Sequence, residues 1–338
     1  MTIRNFLSSV LLVSATTALT AASPEMPSPS DSALFTREAD AFLAAMPPGL
    51  QQRQTEAIRT AIEGDTLPLH YVRNARNTPP ELSENVKARM ITPTLRIYEP
   101  SEAGDTPLPA MVYLHGGGWT IGSLNSCGRF CDALAASGQI RVIAVDYRLA
   151  PEHPYPAGLD DCINAMKYVA VHAASLAIDP ERISIGGDSS GGNLALATAL
   201  HPECSDLTES LILFYPVTKA YADGSASWEA YGSGYGLDSA IMEAFNDAYT
   251  LTADPHDPGI SMGDIEAEDL CEALPRTLLV AAGRDILRDQ GEELAARLGA
   301  KCTRVEFPGA VHLFITVAGQ EHAFRKAADI ATHFLLQE

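Results

Sequence analysis

The stretch Ile183 to Leu200, ISIGGDSSGGNLALATAL, constrains the fold more than any other part of the chain. It begins as a short β-like run, Ile183 to Gly187, and ends in an alanine-rich apolar run that reads as a buried helix. Between them Gly187-Asp188-Ser189-Ser190-Gly191 makes a G-x-S-x-G turn in strand-to-helix context. So sharp a reversal strains Ser189 and exposes its hydroxyl, while the flanking glycines let strand and helix approach. The helix N-terminus beneath brings unpaired N–H groups and a positive dipole end. The pentapeptide alone is weak evidence, because a random chain of this length contains one with odds of about one in ten. Its surroundings carry the argument.

Short apolar runs alternate with helical ones around this turn. Strands are expected at Val86–Ile91, Thr94–Tyr98, Ala110–His115, Val142–Asp146, Ile183–Gly187, Leu211–Pro216, Thr277–Ala282 and Thr303–Phe307. Helices are expected at Ser126–Ser137, Gly158–Ala173, Ser190–Leu200, Leu287–Leu298 and from about Gln320 to Leu336. This pattern predicts an α/β fold: a mostly parallel eight-stranded sheet with helices on both faces. Right-handed crossovers then gather the strand C-terminal ends on one edge, where ligands bind. Residues 34–63 read as two N-terminal helices broken by Pro47-Pro48-Gly49, and residues 64–84 as loop. The core spans 84–217 and 276–338. Residues 218–275 interrupt the alternation with their own aromatics and a helix at Ile241–Tyr249, which suits a lid or pocket wall over the active edge.

Composition narrows the class. The 338 residues are 46% hydrophobic, enough for one large core, and 23 basic against 43 acidic residues leave a net charge of −20. Such a surface repels nucleic acid and anionic membranes. Residues 1–22 read as a signal peptide: Arg4, an apolar run from Phe6 to Ala15, then small residues at Thr20-Ala21-Ala22. Export to the periplasm or outside is therefore expected, with no stable membrane insertion afterwards, and residues 23–33 read as a Pro/Ser-rich linker. The six cysteines are too sparse for a disulfide scaffold and lack metal-ligand spacing, so no metal site is expected.

Three further motifs follow strands. His115-Gly116-Gly117-Gly118-Trp119 is an HGGG-type loop, which supplies one oxyanion donor, the other being the N–H of Ser190 after the nucleophile. Among nine histidines, His312 stands best placed, after a strand and a Pro308-Gly309 turn. Asp285 directly follows the strand Thr277–Ala282, with Asp289 four residues on as the runner-up carboxylate. Ser189, Asp285, His312 is the Ser…Asp…His chain order of α/β-hydrolases. Trp119, Trp228, Tyr231 and Tyr235 are candidate pocket aromatics.

These pieces together resemble the hormone-sensitive-lipase-like esterases, the α/β-hydrolase fold-3 group. The matching segments are HGGGW at 115–119, DYRLAPEHPYPA at 146–157, GDSSGG at 187–192, DILRDQG at 285–291 and HLF at 312–314. The resemblance covers roughly Val86 to the C-terminus. It implies Asp285 as the catalytic carboxylate, Gly117, Gly118 and Ser190 as oxyanion donors, and a cap of N-terminal helices plus the insert. It also implies hydrolysis of short to medium acyl esters without a metal or organic cofactor, the substrate being the only expected partner. The chain departs from the family at Ser190, usually alanine, and at Ile286 and Gln290, usually proline and glutamate. A peptidase on the same fold and a non-catalytic small-molecule receptor are the competing classes. A dinucleotide enzyme is excluded because no G-x-G-x-x-G follows a strand.

Overall fold

A computed structural model describes residues 26–337. The expected signal peptide lies outside these residues. Helices α1 (Pro29–Ala45), α2 (Leu50–Ile62) and α3 (Leu67–Ala75) precede strands β1 (Val86–Thr92), β2 (Leu95–Pro100) and β3 (Leu108–Leu114). Then come α4 (Gly128–Ala135), β4 (Arg141–Val145), α5 (Ala157–His172), β5 (Ile178–Asp188), α6 (Ser190–Leu200) and β6 (Ser210–Phe214). The insert holds α7 (Ala226–Tyr231), α8 (Ser239–Tyr249) and α9 (Ala267–Ala273). The chain closes with β7 (Arg276–Arg284), α10 (Arg288–Leu298), β8 (Cys302–Val311) and α11 (Glu321–Leu336).

The eight strands form one sheet in the order β1-β2-β4-β3-β5-β6-β7-β8. Pairings of β1 with β2 and of β2 with β4 are antiparallel, and all others are parallel. The apolar residues of β3 to β7 leave no polar face, so both sides need cover. One side packs on α5, α6 and α10 through residues such as Leu159, Leu194 and Leu294. The other packs on α4 and α11, joined by Phe35 of α1. All six cysteines are free thiols. No helix among the described residues is long and apolar enough to cross a membrane.

Two sequence expectations need correction. Part of the Pro/Ser-rich linker is helical, because Ser28-Pro29-Ser30-Asp31 is a capping box: the Ser28 side chain accepts from Asp31 N, and the Ser28 N–H donates to the Asp31 carboxylate at 2.7 Å. The loop expected at 64–84 contains α3. Its Pro68 sits in the first helical turn, where a missing N–H costs nothing, and so starts the helix instead of breaking it.

The N-terminal helices divide in a way the sequence did not show. Helix α1 lies against the body, with Asp31 paired to Lys326 at 2.9 Å and Asp40 to Arg284 at 2.8 Å. Helix α2 packs instead on α3 and α8, with Arg59 reaching Asp247. Helix α3 is tied down by Arg73. Its guanidinium donates to Thr120 O at 2.7 Å, to Ala150 O at 2.9 Å, and bidentately to Glu152 at 2.7 and 2.8 Å. Hydrogen bonds involving charged groups contribute about 1.5–3 kcal/mol. Arg73→Met should therefore lower the urea-unfolding free energy by about 2–3 kcal/mol, and Arg73→Lys, which cannot bridge all three acceptors, should recover less than half of it. Unchanged urea midpoints would show that α3 is held by apolar packing alone.

Candidate active site

Strands β3, β5, β7 and β8 run parallel, so the segments after Leu114, Asp188, Arg284 and Val311 meet at one sheet edge. Ser189 occupies the turn from β5 to α6 with φ 56° and ψ −118°, a left-handed conformation for a residue with a Cβ. The turn is held by its neighbours: Ser189 N donates to Phe214 O at 2.9 Å, and Val217 N donates to Ser189 O at 3.1 Å. Glycine is required beside it. A Cβ at Gly191 would lie 2.0 Å from Leu114 O.

His312 and Asp285 converge on this serine. His312 Nε2 lies 3.1 Å from Ser189 Oγ, and its Nδ1 lies 2.6 Å from Asp285 Oδ2. The other carboxylate oxygen of Asp285 accepts from Leu287 N at 3.0 Å. Both Asp285 and His312 are 1% exposed, while Ser189 retains 6%. The exposure falls on the group that meets a ligand, and the acid and imidazole stay shielded. A hydroxyl, imidazole and carboxylate in this order can draw a proton from Ser189 and stabilise the imidazolium that forms. Asp289 is engaged elsewhere, pairing with Arg288 at 2.7 Å and accepting from Ser227 N at 2.8 Å. The other histidines also lie apart. His115 is buried against Tyr147, and His322 pairs with Glu38 on the surface.

The glycine loop starts beside the turn, with Gly116 packed against Asp188. Gly117 and Gly118 have φ of 115° and 60°, turning the backbone through a path side chains resist. The ring of Phe245 from α8 covers Gly118, where an added Cβ would come within 2.0 Å of its Cγ. Ser190 is fully buried at the start of α6, and its hydroxyl has no hydrogen-bond partner among the described residues.

Several positioning residues escaped the sequence reading. Asp188 turns its carboxylate into the core, where Oδ1 accepts from Tyr113 OH at 2.8 Å and from Gly116 N at 2.9 Å. Burial pushes the Asp188 carboxyl up from its usual range, against the pull of these two donors. The residue before the nucleophile thereby fixes the start of the glycine loop. Tyr147 OH donates to His115 O at 2.6 Å and steadies the same loop. Gln320 clasps the histidine segment: its Oε1 accepts from Val311 N at 3.0 Å, and its Nε2 donates to Val311 O and His312 O. Tyr215 lies under the imidazole, ring centres 4.4 Å apart. Asp188 and Tyr147 carried a sequence signal, lying inside the turn motif and the DYRLAPEHPYPA segment.

The expected pocket aromatics are elsewhere. Trp119 is 1% exposed and stacked flat on Tyr249 at 4.4 Å, so the loop folds it under α8 instead of towards a ligand. Trp228 is buried in the core beneath α7. Tyr235 packs edge-on against Tyr231 and beside Arg284. None of them borders the cavity of about 770 Å³ that opens beside the site. Its walls come from α1, α2, α3 and the segment after His312, with Phe42, Met46, Leu50, Val72, Leu313 and Val317 among them.

Comparison with known proteins points one way. A family described as alpha/beta hydrolase fold matches residues 111–316. The chain is 34% identical over 281 residues to a carboxylesterase of Mycobacterium tuberculosis, covering 77% of this chain and 85% of that protein. It is 36% identical over 233 residues to an ethyl acetate hydrolase of Pseudomonas putida, covering 65% and 71%. Among solved structures, an ester hydrolase from the Lake Arreo metagenome, complexed with a bipyridine phosphonate derivative, superposes with TM-score 0.71. It is 31% identical, over 91% of this chain and 99% of that one.

Removing the Asp188 carboxylate leaves two buried donors, Tyr113 OH and Gly116 N–H, without a partner. Each such loss costs about 1–3 kcal/mol. Asp188→Ala should therefore destabilise the protein by roughly 2–4 kcal/mol in urea titration, and a loss below about 1 kcal/mol would mean that the loop is fixed by other contacts.

Proposed function

The chain belongs to the hormone-sensitive-lipase-like, α/β-hydrolase fold-3 family of carboxylic-ester hydrolases, and from that premise we propose that it cleaves short to medium acyl esters through Ser189, His312 and Asp285. The observation that carries this reading is the continuous relay from Ser189 Oγ to His312 at 3.1 Å and on to Asp285 at 2.6 Å. In this mechanism Ser189 Oγ attacks the ester carbonyl carbon while His312 Nε2 takes its proton. Asp285 holds the imidazole by Nδ1, so that Nε2 is free to act as base. The oxyanion of the tetrahedral intermediate is received by the N–H groups of Gly117, Gly118 and Ser190. Such donors are worth about 2.7–4 kcal/mol each, because they are aimed before charge develops. Collapse expels the alcohol, which takes the proton from His312, and leaves an acyl group on Ser189. Water, deprotonated by His312, then attacks the acyl carbonyl; the bond to Ser189 Oγ breaks, His312 returns the proton to Oγ, and the carboxylic acid leaves.

The Ser190 hydroxyl has no part in this scheme, since only the backbone N–H is used. The apolar cavity beside Leu313 supports an acyl or alcohol group of a few to several carbons.

Hydrolysis of p-nitrophenyl esters from acetate to decanoate, run beside Ser189→Ala, tests the reading. Turnover should peak at one chain length and vanish in the variant; equal turnover in both proteins would mean a different nucleophile. Asp285→Asn should lower kcat by about 10⁴-fold through loss of the correct imidazole tautomer. A near-normal rate in that variant would move the orienting role to Asp289.

A further inference from the structure

The cavity beside the site has a cationic wall residue that makes no hydrogen bond with a side chain of the described residues. Arg76 caps the C-terminal end of α3 and lines the 770 Å³ space opposite Leu313, the residue after His312. It also borders a narrow crevice against Gly116, Gly117 and Asp188, so its side chain reaches from the cavity to the glycine loop. The remaining walls are mostly apolar. Their other charged residue is Arg53, at the exposed rim, whose guanidinium donates to Pro48 O at 2.8 Å, and no carboxylate lines the space.

The two arginines at the end of α3 differ sharply. Arg73 spends its guanidinium on four hydrogen bonds. The Arg76 guanidinium, three residues on and partly buried, is in no side-chain hydrogen bond or ion pair among the described residues. Asp188, which lines the same crevice, accepts from Tyr113 and Gly116 through Oδ1 and makes no hydrogen bond or ion pair with Arg76. Burial lowers the Arg76 pKa, while the Asp188 charge holds it up. Placing a cation against apolar walls costs free energy unless an anion joins it. The backbone around Arg76 is also fixed, by Arg73 before it and by Asn77 after it, whose Oδ1 accepts from Ser123 and Asn125. The guanidinium is thus presented from a rigid support, as a bidentate carboxylate receptor requires.

We infer that Arg76 is a specificity-determining residue that pairs with a carboxylate on the substrate, and that the preferred substrates are esters carrying such a group a few carbons from the scissile carbonyl. This rests on the ester-hydrolase reading of Ser189 above. Half-esters of dicarboxylic acids are the simplest members of the class. With the reacting carbonyl at Ser189, their free carboxylate would lie in the larger cavity against Arg76, and the methylenes between against Leu313. In a chain of net charge −20, this wall is a local exception that lets an anionic ester bind.

The test compares monomethyl succinate, glutarate and adipate with methyl butyrate, pentanoate and hexanoate, by pH-stat, in wild type, Arg76→Gln and Arg76→Lys. In wild type, kcat/KM for the best half-ester should equal or exceed that of its neutral partner. Arg76→Gln should lower the half-ester to neutral-ester ratio at least tenfold, mainly through KM of the half-ester, and Arg76→Lys should restore part of it. An unchanged ratio in Arg76→Gln, or a tenfold wild-type preference for the neutral ester at every length, overturns the proposal. Calorimetric binding of free glutarate gives a readout without turnover. Binding by wild type that weakens at least tenfold in Arg76→Gln supports the receptor, and no binding to wild type overturns it. Absence of turnover on both ester series would instead sink the ester-hydrolase reading, leaving the glutarate titration to decide on Arg76.

Discussion

Ser189 sits in a backbone conformation that a residue with a Cβ adopts only at a cost of about 1–3 kcal/mol, and the surrounding architecture is what maintains it. Its N–H and C=O are clamped by Phe214 and Val217 from the end of β6, the strand beside β5. On the other side β3 comes so close that glycines alone fit at 187 and 191 against Leu114 O. The strain is therefore distributed over three adjacent strands, each long and buried enough to hold it. Asp188, one residue before the serine, extends the same constraint into the glycine loop through Gly116. The elbow and the loop behave as one unit because a single buried carboxylate connects them.

The histidine is fixed by independent means. It stands on a segment after β8 that turns through a positive φ at Leu313, and no secondary-structure ladder supports it there. Gln320 replaces that ladder by bonding both edges of the segment at Val311 and His312, while Tyr215 supports the ring from below. The imidazole can then accept a proton without moving, because its orientation is set by neighbours that do not titrate near neutrality. Reorganisation during the reaction would otherwise consume part of the electrostatic advantage of a preformed site.

The strands, the helices that cover them and the convergence of Ser189, Asp285 and His312 were legible because each rests on a local pattern. Apolar runs mark the strands, and the site residues follow directly from strand ends. Helix α3 was not legible: Leu67, Leu69 and Val72 make too short an apolar face, and Pro68 reads as a breaker unless its place in the first turn is known. The aromatics failed for a related reason. Trp119 follows the glycine loop, where either a pocket wall or a core position fits the sequence, and stacking on Tyr249 decides for the core. That contact spans 130 residues of chain and leaves no periodic trace. Gln320 and Tyr215 were invisible on the same ground, being defined by what they bind across the fold.

Part of what the local patterns missed lies in the N-terminal helices, and this has a chemical consequence. The groups proposed to make and break bonds come from the sheet edge, where strain and close packing leave little freedom to vary. The cavity walls come from α1, α2 and α3, which bear on the body through side chains such as Asp40 and Arg73. A change in these helices alters the size and charge of the space beside Leu313 without touching the β5–α6 turn. Arg76 shows how far that separation reaches. It stands at the end of α3, yet borders the glycine loop, so the charge proposed to discriminate among substrates lies beside the Gly116–Gly117 segment while its backbone belongs to another layer. Catalysis and selection, as proposed, thus meet in space but depend on different parts of the chain, the sheet edge supplying the chemistry and separate helices supplying the walls.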